Sequence, residues 1–310
     1  MKVLVTGGLG FIGSCVVRLL AANDHNVVVF DDQSSGNNFY SHPLVETIIG
    51  DITRPEDLSS LPSDISHVIH LAAAISVSES MTNPEKYEFI NVQGSRNVLQ
   101  WALDNKIEKV ASASSAAVYG DIQTLPIKEE YNTAPISPYA ETKLNMEFLH
   151  KEFHQKGLNC SCFRFFNVYG PRQHPSNPYS GVISKFFDFV SKNEPVKIFG
   201  DGEQSRDFVF VEDLSYALFL YITSSLESFN VFNIGTETVT TVNDLARLCI
   251  DISQASSKVE YHPERPGDIK HSLSDSSFVR RTLKWNPKFT LSEGLDRTYQ
   301  WFLTELKAEN

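Results

Sequence analysis

Between the apolar run Val3-Leu4-Val5 and an amphipathic stretch beginning at Gly13 lies Thr6-Gly7-Gly8-Leu9-Gly10-Phe11-Ile12-Gly13. Glycines placed this way between a strand and a helix constrain the chain more than any other feature. Gly7 permits a tight turn, Gly10 lets backbone approach a pyrophosphate, and Gly13 allows close helix–strand packing. The backbone of Phe11 and Ile12 then offers N–H groups at the positive end of the helix, where a phosphate is stabilised. Asp31 follows the second strand, 18 residues after Gly13. A carboxylate there accepts hydrogen bonds from the adenosine ribose hydroxyls and repels a 2′-phosphate, which selects NAD over NADP. Asp32 is a second candidate for this task, and Asp51-Ile52, after the third strand, suits the adenine edge.

The rest of the first half alternates short β-branched runs with amphipathic helices, the mark of a parallel sheet covered on both faces. The pattern predicts strands at 26–30, 45–49, 68–71, 109–114 and 160–165 after the first at 3–5. Helices are expected over 13–22, 88–103 and 138–155. Beyond Asn167 prolines and glycines cluster, and helices near 182–191, 242–253 and 291–306 are separated by irregular segments. The expected fold is α/β, a doubly wound parallel sheet with a smaller, loop-rich substrate domain. Residues 1–168 plus about 209–240 would bind the dinucleotide, and about 169–208 plus 241–310 the substrate.

A formal charge of -11 argues against nucleic acid, which needs a basic footprint. Local arginines can still hold an anionic small ligand. Cys15, Cys160, Cys162 and Cys249 lack zinc-ligand spacing and suggest free thiols in a reducing compartment, with no metal. No apolar run approaches the roughly 20 residues of a membrane span, and the N-terminus runs straight into the glycine turn, so a cytoplasmic protein is expected.

Tyr139 and Lys143 stand four residues apart, on one face of a helix. A phenol is a weak base at neutral pH, and a neighbouring ammonium, with a positively charged nicotinamide, would lower its pKa. The pair follows the fifth strand, whose end carries Ser112-Ala113-Ser114-Ser115. Ligands bind at the carboxyl ends of such strands, where Ser115 can hydrogen-bond a reacting hydroxyl and share its proton with Tyr139.

Together with this pair, Thr-Gly-x-x-Gly-x-x-Gly at 6–13, His70-Leu71-Ala72-Ala73 and Pro84-x-x-Tyr87-x-x-x-Asn91-Val92 resemble the extended short-chain dehydrogenase/reductase family. So do Arg164-Phe165-Phe166-Asn167-Val168-Tyr169-Gly170-Pro171-Arg172 and Arg265-Pro266-Gly267-Asp268. Within that family the likeness is to the UDP-hexose 4-epimerases. It implies a Rossmann fold, a homodimer pairing helices 88–103 and 138–155 across a two-fold axis, and Ser115, Tyr139 and Lys143 as catalytic residues. Tyr139 would remove the carbon-4 hydroxyl proton while hydride passes to NAD⁺; the 4-keto sugar would then turn over and take hydride on its other face.

The resemblance implies cofactor contacts from Gly7, Gly10, Phe11, Ile12, Gly13, Asp31, Asp32, Asp51, Ile52, Leu71, Ala72, Ala73, Asn91, Tyr139, Lys143 and Phe165. The UDP-sugar would meet Ser76, Ser115, Tyr139, Asn167, Val182, Phe199, Arg206, Arg265, Asp268 and Ser272, with Arg206 and Arg265 clamping the diphosphate. Four residues after Asp268, Ser272 holds a position that lines the sugar pocket in these enzymes. A tyrosine there confines the pocket to unsubstituted hexoses, and a small residue admits an acetamido group.

Dehydratases of the same family carry an Asp-Glu pair immediately after the catalytic hydroxyl residue, and decarboxylases a glutamate in that segment. Here those positions are Ala116 and Ala117. Other nucleotide-sugar reactions, including 4-epimerisation of UDP-glucuronate, and a non-catalytic NAD-binding sensor remain as alternatives.

Overall fold

The computed structural model describes residues 1–174, 181–264 and 269–304. Its strands are β1 (Lys2–Thr6), β2 (Asn26–Asp31), β3 (Val45–Ile49), β4 (His67–His70), β5 (Lys109–Ser115), β6 (Cys160–Phe165), β7 (Asn167–Tyr169), β8 (Val196–Phe199), β9 (Ser205–Arg206), β10 (Phe208–Phe210), β11 (Val231–Ile234), β12 (Thr240–Thr241) and β13 (Val259–His262). Seven of them form one sheet in the order β11-β6-β5-β4-β1-β2-β3, and every pairing in it is parallel. The sequence order reverses between β1 and β4, so a crevice opens there at the carboxyl ends of the strands.

The alternation of each strand builds a core on both faces. Val3, Val5, Val27 and Val29 turn to one side with Val16, Leu20 and Phe163, while Leu4, Val28 and Val68 meet Val98, Leu99 and Phe153 on the other. A third cluster, including Ile183, Phe187, Leu245, Leu295 and Phe302, packs outside the main sheet. The two-stranded pairs β8–β13 and β9–β12 also lie outside it, as does β7–β10.

The helices Pro138–Gln155, Val182–Ser191 and Val242–Ser253 have the predicted limits. Ser137 caps the first by accepting from Ala140 N at 3.2 Å, with Pro138 in the first turn. Two regions depart from expectation. The sequence reading ends the sheet at six strands, and the structure adds β11 on the far edge, fed by the helix Val211–Thr223. The segment predicted as one helix over 88–103 opens as a π-helix at Glu88–Gln93 before continuing as Gly94–Asp104. There the Ser95 hydroxyl donates to the Asn91 carbonyl, while the Asn91 side chain turns away to other partners. No helix among the described residues is long and apolar enough to cross a membrane.

Candidate active site

The turn after β1 is built from missing side chains. Gly7 has φ +70°, and a Cβ on it would stand 2.7 Å from Ala72 N. A Cβ on Gly13 would collide with the Gly7 carbonyl oxygen, whereas one on Gly10 would meet only that oxygen, at 3.2 Å. Gly10 is the N-cap of the helix Phe11–Ala22 and supplies no capping side chain. The first N–H groups, those of Phe11 and Ile12, therefore face the crevice without a side-chain acceptor from the cap residue, as a pyrophosphate requires.

A row of hydrogen bonds fixes what the glycines lean against. Strand register sets Thr6 beside His70 and His70 beside Ser112. Ser95 donates to the Asn91 carbonyl, so His70 Nε2–H must donate to Ser95 Oγ (2.9 Å), and His70 Nδ1 accepts from the Thr6 hydroxyl (2.7 Å). The Thr6 oxygen in turn accepts from Leu71 N at 3.2 Å and Ala72 N at 3.3 Å. Burial pushes the His70 pKa down to about 3, so the imidazole in this row is neutral. Asn91 holds Ala74 through both its N–H and its carbonyl and reaches Thr142 on the helix Pro138–Gln155. Leu71 and Ala72 thus stand on a fixed backbone beside Gly7, and Asn91 holds Ala74, one residue past Ala73.

Asp31 ends β2 with 8% of its surface exposed. Its oxygens already accept from Leu9 N (3.0 Å) and Gln33 N (2.8 Å), leaving further lone pairs for ribose hydroxyls. Burial raises its pKa against those two bonds. Asp32 is exposed and bonded to Ser34. Asp51 accepts from Thr53 N and Oγ1, and Ile52 is buried against Gly94.

Ser115 closes β5, and the β5–β6 register sets it beside Phe165. Its Oγ accepts from Ala117 N at 3.2 Å, which caps the short 3₁₀ turn Ala116–Tyr119. Tyr139 lies in the first turn of its helix, edge-on to Tyr87 with ring centroids 6.5 Å apart. Burial raises the phenol pKa, and the neighbouring Ser115 hydroxyl opposes the rise. Lys143, one turn on, points its ammonium at the Ala113 carbonyl (3.0 Å), and burial lowers its pKa to about 8. In the protein alone burial dominates at Tyr139; the lowering expected from Lys143 concerns the state with a positively charged nicotinamide beside it.

Behind Lys143 lies a buried network that the sequence analysis missed. Glu147 takes a two-pronged bond from Arg164, at 2.9 and 2.7 Å, and also accepts from the Ser114 hydroxyl. Arg164 continues to the Tyr119 hydroxyl (2.7 Å), which donates to Asn233 (2.7 Å). Ser114 precedes Ser115 and Arg164 precedes Phe165, so one ion pair braces the ends of β5 and β6 beside both. The sequence signals were Glu147 standing four residues after Lys143 and Arg164 opening the motif at 164–172.

The expected substrate residues are more scattered. Ser76 caps the helix Val77–Thr82 and is buried; Val182 opens the helix Val182–Ser191. Asn167 starts β7 and donates from N and Nδ2 to the Asp207 carbonyl. Phe199 ends β8 against His262. Arg206 is half-buried in β9, with NH1 donating to Ser205 O and Lys270 O, and Ser272 N donates to Ser205 O at 3.1 Å. Arg265 and Asp268 lie outside the described residues.

A family model described as "NAD dependent epimerase/dehydratase family" matches residues 3–235. The chain belongs to that family. NAD is its cofactor, and the uncapped helix start beside the glycine turn fits the group. The chain is 36% identical to a putative UDP-glucose 4-epimerase of Methanocaldococcus jannaschii, over 96% of this chain and 97% of that one. Among solved structures it resembles a UDP-N-acetylglucosamine 4-epimerase of Methanobrevibacter ruminantium in complex with UDP-N-acetylmuramic acid (38% identity, TM-score 0.93, 98% of each chain). It also resembles a Thermotoga maritima UDP-glucose 4-epimerase with UDP-glucose (36%, TM-score 0.94, 99% of this chain and 100% of that one). A Thermus thermophilus UDP-glucose 4-epimerase in complex with NAD is similar at 31% identity and TM-score 0.91, over 98% of this chain and 100% of that one.

Proposed function

We propose that the protein inverts carbon 4 of a UDP-hexose through a transient 4-keto sugar, with UDP-N-acetylglucosamine and UDP-N-acetylgalactosamine among its substrates. The observation that carries this reading is the meeting of Tyr139 and Ser115 at the end of β5, beside Phe165, with no further ionisable group at 116 or 117. Elimination and decarboxylation call for extra acid–base groups in that segment; reversible oxidation does not. Bound NAD would supply the oxidant and reductant at carbon 4. Tyr139 would take and return the hydroxyl proton, Ser115 would align that hydroxyl, and the ammonium of Lys143, charged below about pH 8, would favour the phenolate.

In this reading residues 1–168 plus about 209–240 hold the cofactor and the remainder holds the nucleotide sugar. Arg206 would face the diphosphate, Arg265, outside the described residues, would help to hold it, and Phe199, Val182, Asn167 and Ser76 would line the pocket. The protein works as a homodimer. Phe89 and Phe148, 55% and 61% exposed on segments that pack against each other, support a second copy on that face.

Substrate breadth rests on Ser272. A serine removes a ring's volume from the sugar wall, and the named activity of the Methanobrevibacter relative agrees with an acetamido-hexose. The wild type should interconvert the two N-acetylated UDP-sugars. Ser272→Tyr should abolish that conversion and spare UDP-glucose turnover. Equal handling of both sugars by the variant would remove position 272 from the specificity wall.

A further inference from the structure

Asp207 is fully buried directly after Arg206, and its carboxylate gathers donors from two distant segments. Thr236 supplies N and Oγ1, each at 2.7 Å, and Glu237 supplies N at 3.1 Å. Ser274 supplies N at 3.1 Å and Oγ at 2.5 Å. Five donors on two oxygens saturate the group, which is how a carboxylate is kept out of water.

The turn that meets it is itself forced. A Cβ on Gly235 would stand 2.6 Å from Asp207 Oδ2, and Glu237 adopts φ +60°. A non-glycine residue pays for that conformation and needs its surroundings to hold it. Ser276 N donates to Glu237 Oε1 at 2.8 Å and Arg280 pairs with Oε2 at 3.1 Å. On its other side, the Asp207 carbonyl accepts from Asn167 N (3.1 Å) and Nδ2 (3.3 Å).

We propose that Asp207 is a positioning residue of the nucleotide-sugar site, fixing Arg206, Asn167 and Ser272 relative to one another. Arg206 is its chain neighbour, Asn167 hangs on its carbonyl, and Ser272 stands two residues before Ser274. The inference rests on the reading that these three face the UDP-sugar. Ser115, Tyr139 and Lys143 do not touch Asp207, so its loss should fall on substrate affinity and leave the chemical step alone. A merely structural brace would do the reverse, lowering the active fraction at constant affinity.

The test uses NAD-loaded enzyme carrying Asp207→Asn or Ser274→Ala, with UDP binding by calorimetry and KM and kcat for UDP-glucose and UDP-N-acetylglucosamine. Asp207→Asn turns one acceptor into a donor facing donors, and should raise KM and the UDP Kd about ten- to a hundredfold. Ser274→Ala removes one donor and should raise both about three- to tenfold. In each variant kcat per bound NAD should stay within about twofold of wild type. Unchanged KM and Kd, or a fall in kcat at constant KM, would overturn the assignment. If Asp207→Asn is insoluble, Ser274→Ala decides by the same criteria. Should the wild type bind UDP but turn over no UDP-hexose, the epimerase reading fails while the UDP Kd of the variants still judges Asp207. A wild type that does not bind UDP overturns both.

Discussion

The glycine turn after β1 and the strap of residues 269–276, the two places where the proposal seats a ligand, are held by opposite means. At the turn, side chains are absent: Gly7 and Gly13 touch backbone where no Cβ fits, and the donors are main-chain N–H groups. At the strap, side chains do the holding: Asp207, Thr236, Ser274 and Ser276 tie it to β10 and to the end of β11. Backbone donors aimed by glycines suit a pyrophosphate, whose shape is constant across substrates. A strap held by side chains can be re-cut one residue at a time, which suits the part of a ligand that varies.

That contrast can be broken at several points. If the strap takes no part in the chemistry, Tyr139→Phe should keep NAD bound and lose about 10²- to 10⁴-fold in turnover. Near-normal turnover would remove Tyr139 from the reaction. Gly13→Ala places a methyl against the Gly7 carbonyl, and overpacking of about 1–3 kcal/mol should weaken NAD retention about ten- to a hundredfold. Stoichiometric NAD in purified Gly13→Ala would show that the turn yields more easily than its contacts imply.

A third effect concerns acid. His150 is fully buried, donating from Nδ1 to Met146 O (2.7 Å) and accepting from the Ser112 hydroxyl (2.6 Å). Burial pushes its pKa down to about 4 from an ordinary 6.5. Between those values the unfolded chain binds the extra proton and the folded chain does not. Stability therefore falls as pH drops from about 6.5 to about 4, by on the order of 3 kcal/mol from this residue, and is flat above. Thermal midpoints across that range should follow the fall, and His150→Gln should remove its share of it, the remainder coming from His70, whose pKa burial holds at about 3. An unchanged slope would place the acid sensitivity elsewhere.

The glycine turn and the Tyr139–Lys143 pair were legible because their spacing is local: three residues apart in one case, four in the other. The braces were not. Glu147 and Arg164 are 17 residues apart, and Asp207 and Ser274 are 67, distances across which a single sequence carries no periodic signal. β11, on a sheet edge, was not read as a strand, although β4, of the same length, was. The π-helix at Glu88–Gln93 was hidden because its apolar spacing still reads as an ordinary helix. The rise that burial imposes on Tyr139 was not legible either, because neighbours can be counted from spacing, whereas burial cannot.

The most direct test follows the hydrogen on carbon 4. Enzyme given UDP-glucose deuterated at that carbon, in ordinary water, should form the 4-epimer with deuterium still on carbon 4. Tyr139 handles only the oxygen-bound proton in this account, so the carbon-bound hydrogen never reaches solvent. Loss of deuterium to water, or full conversion by Tyr139→Phe, would contradict it.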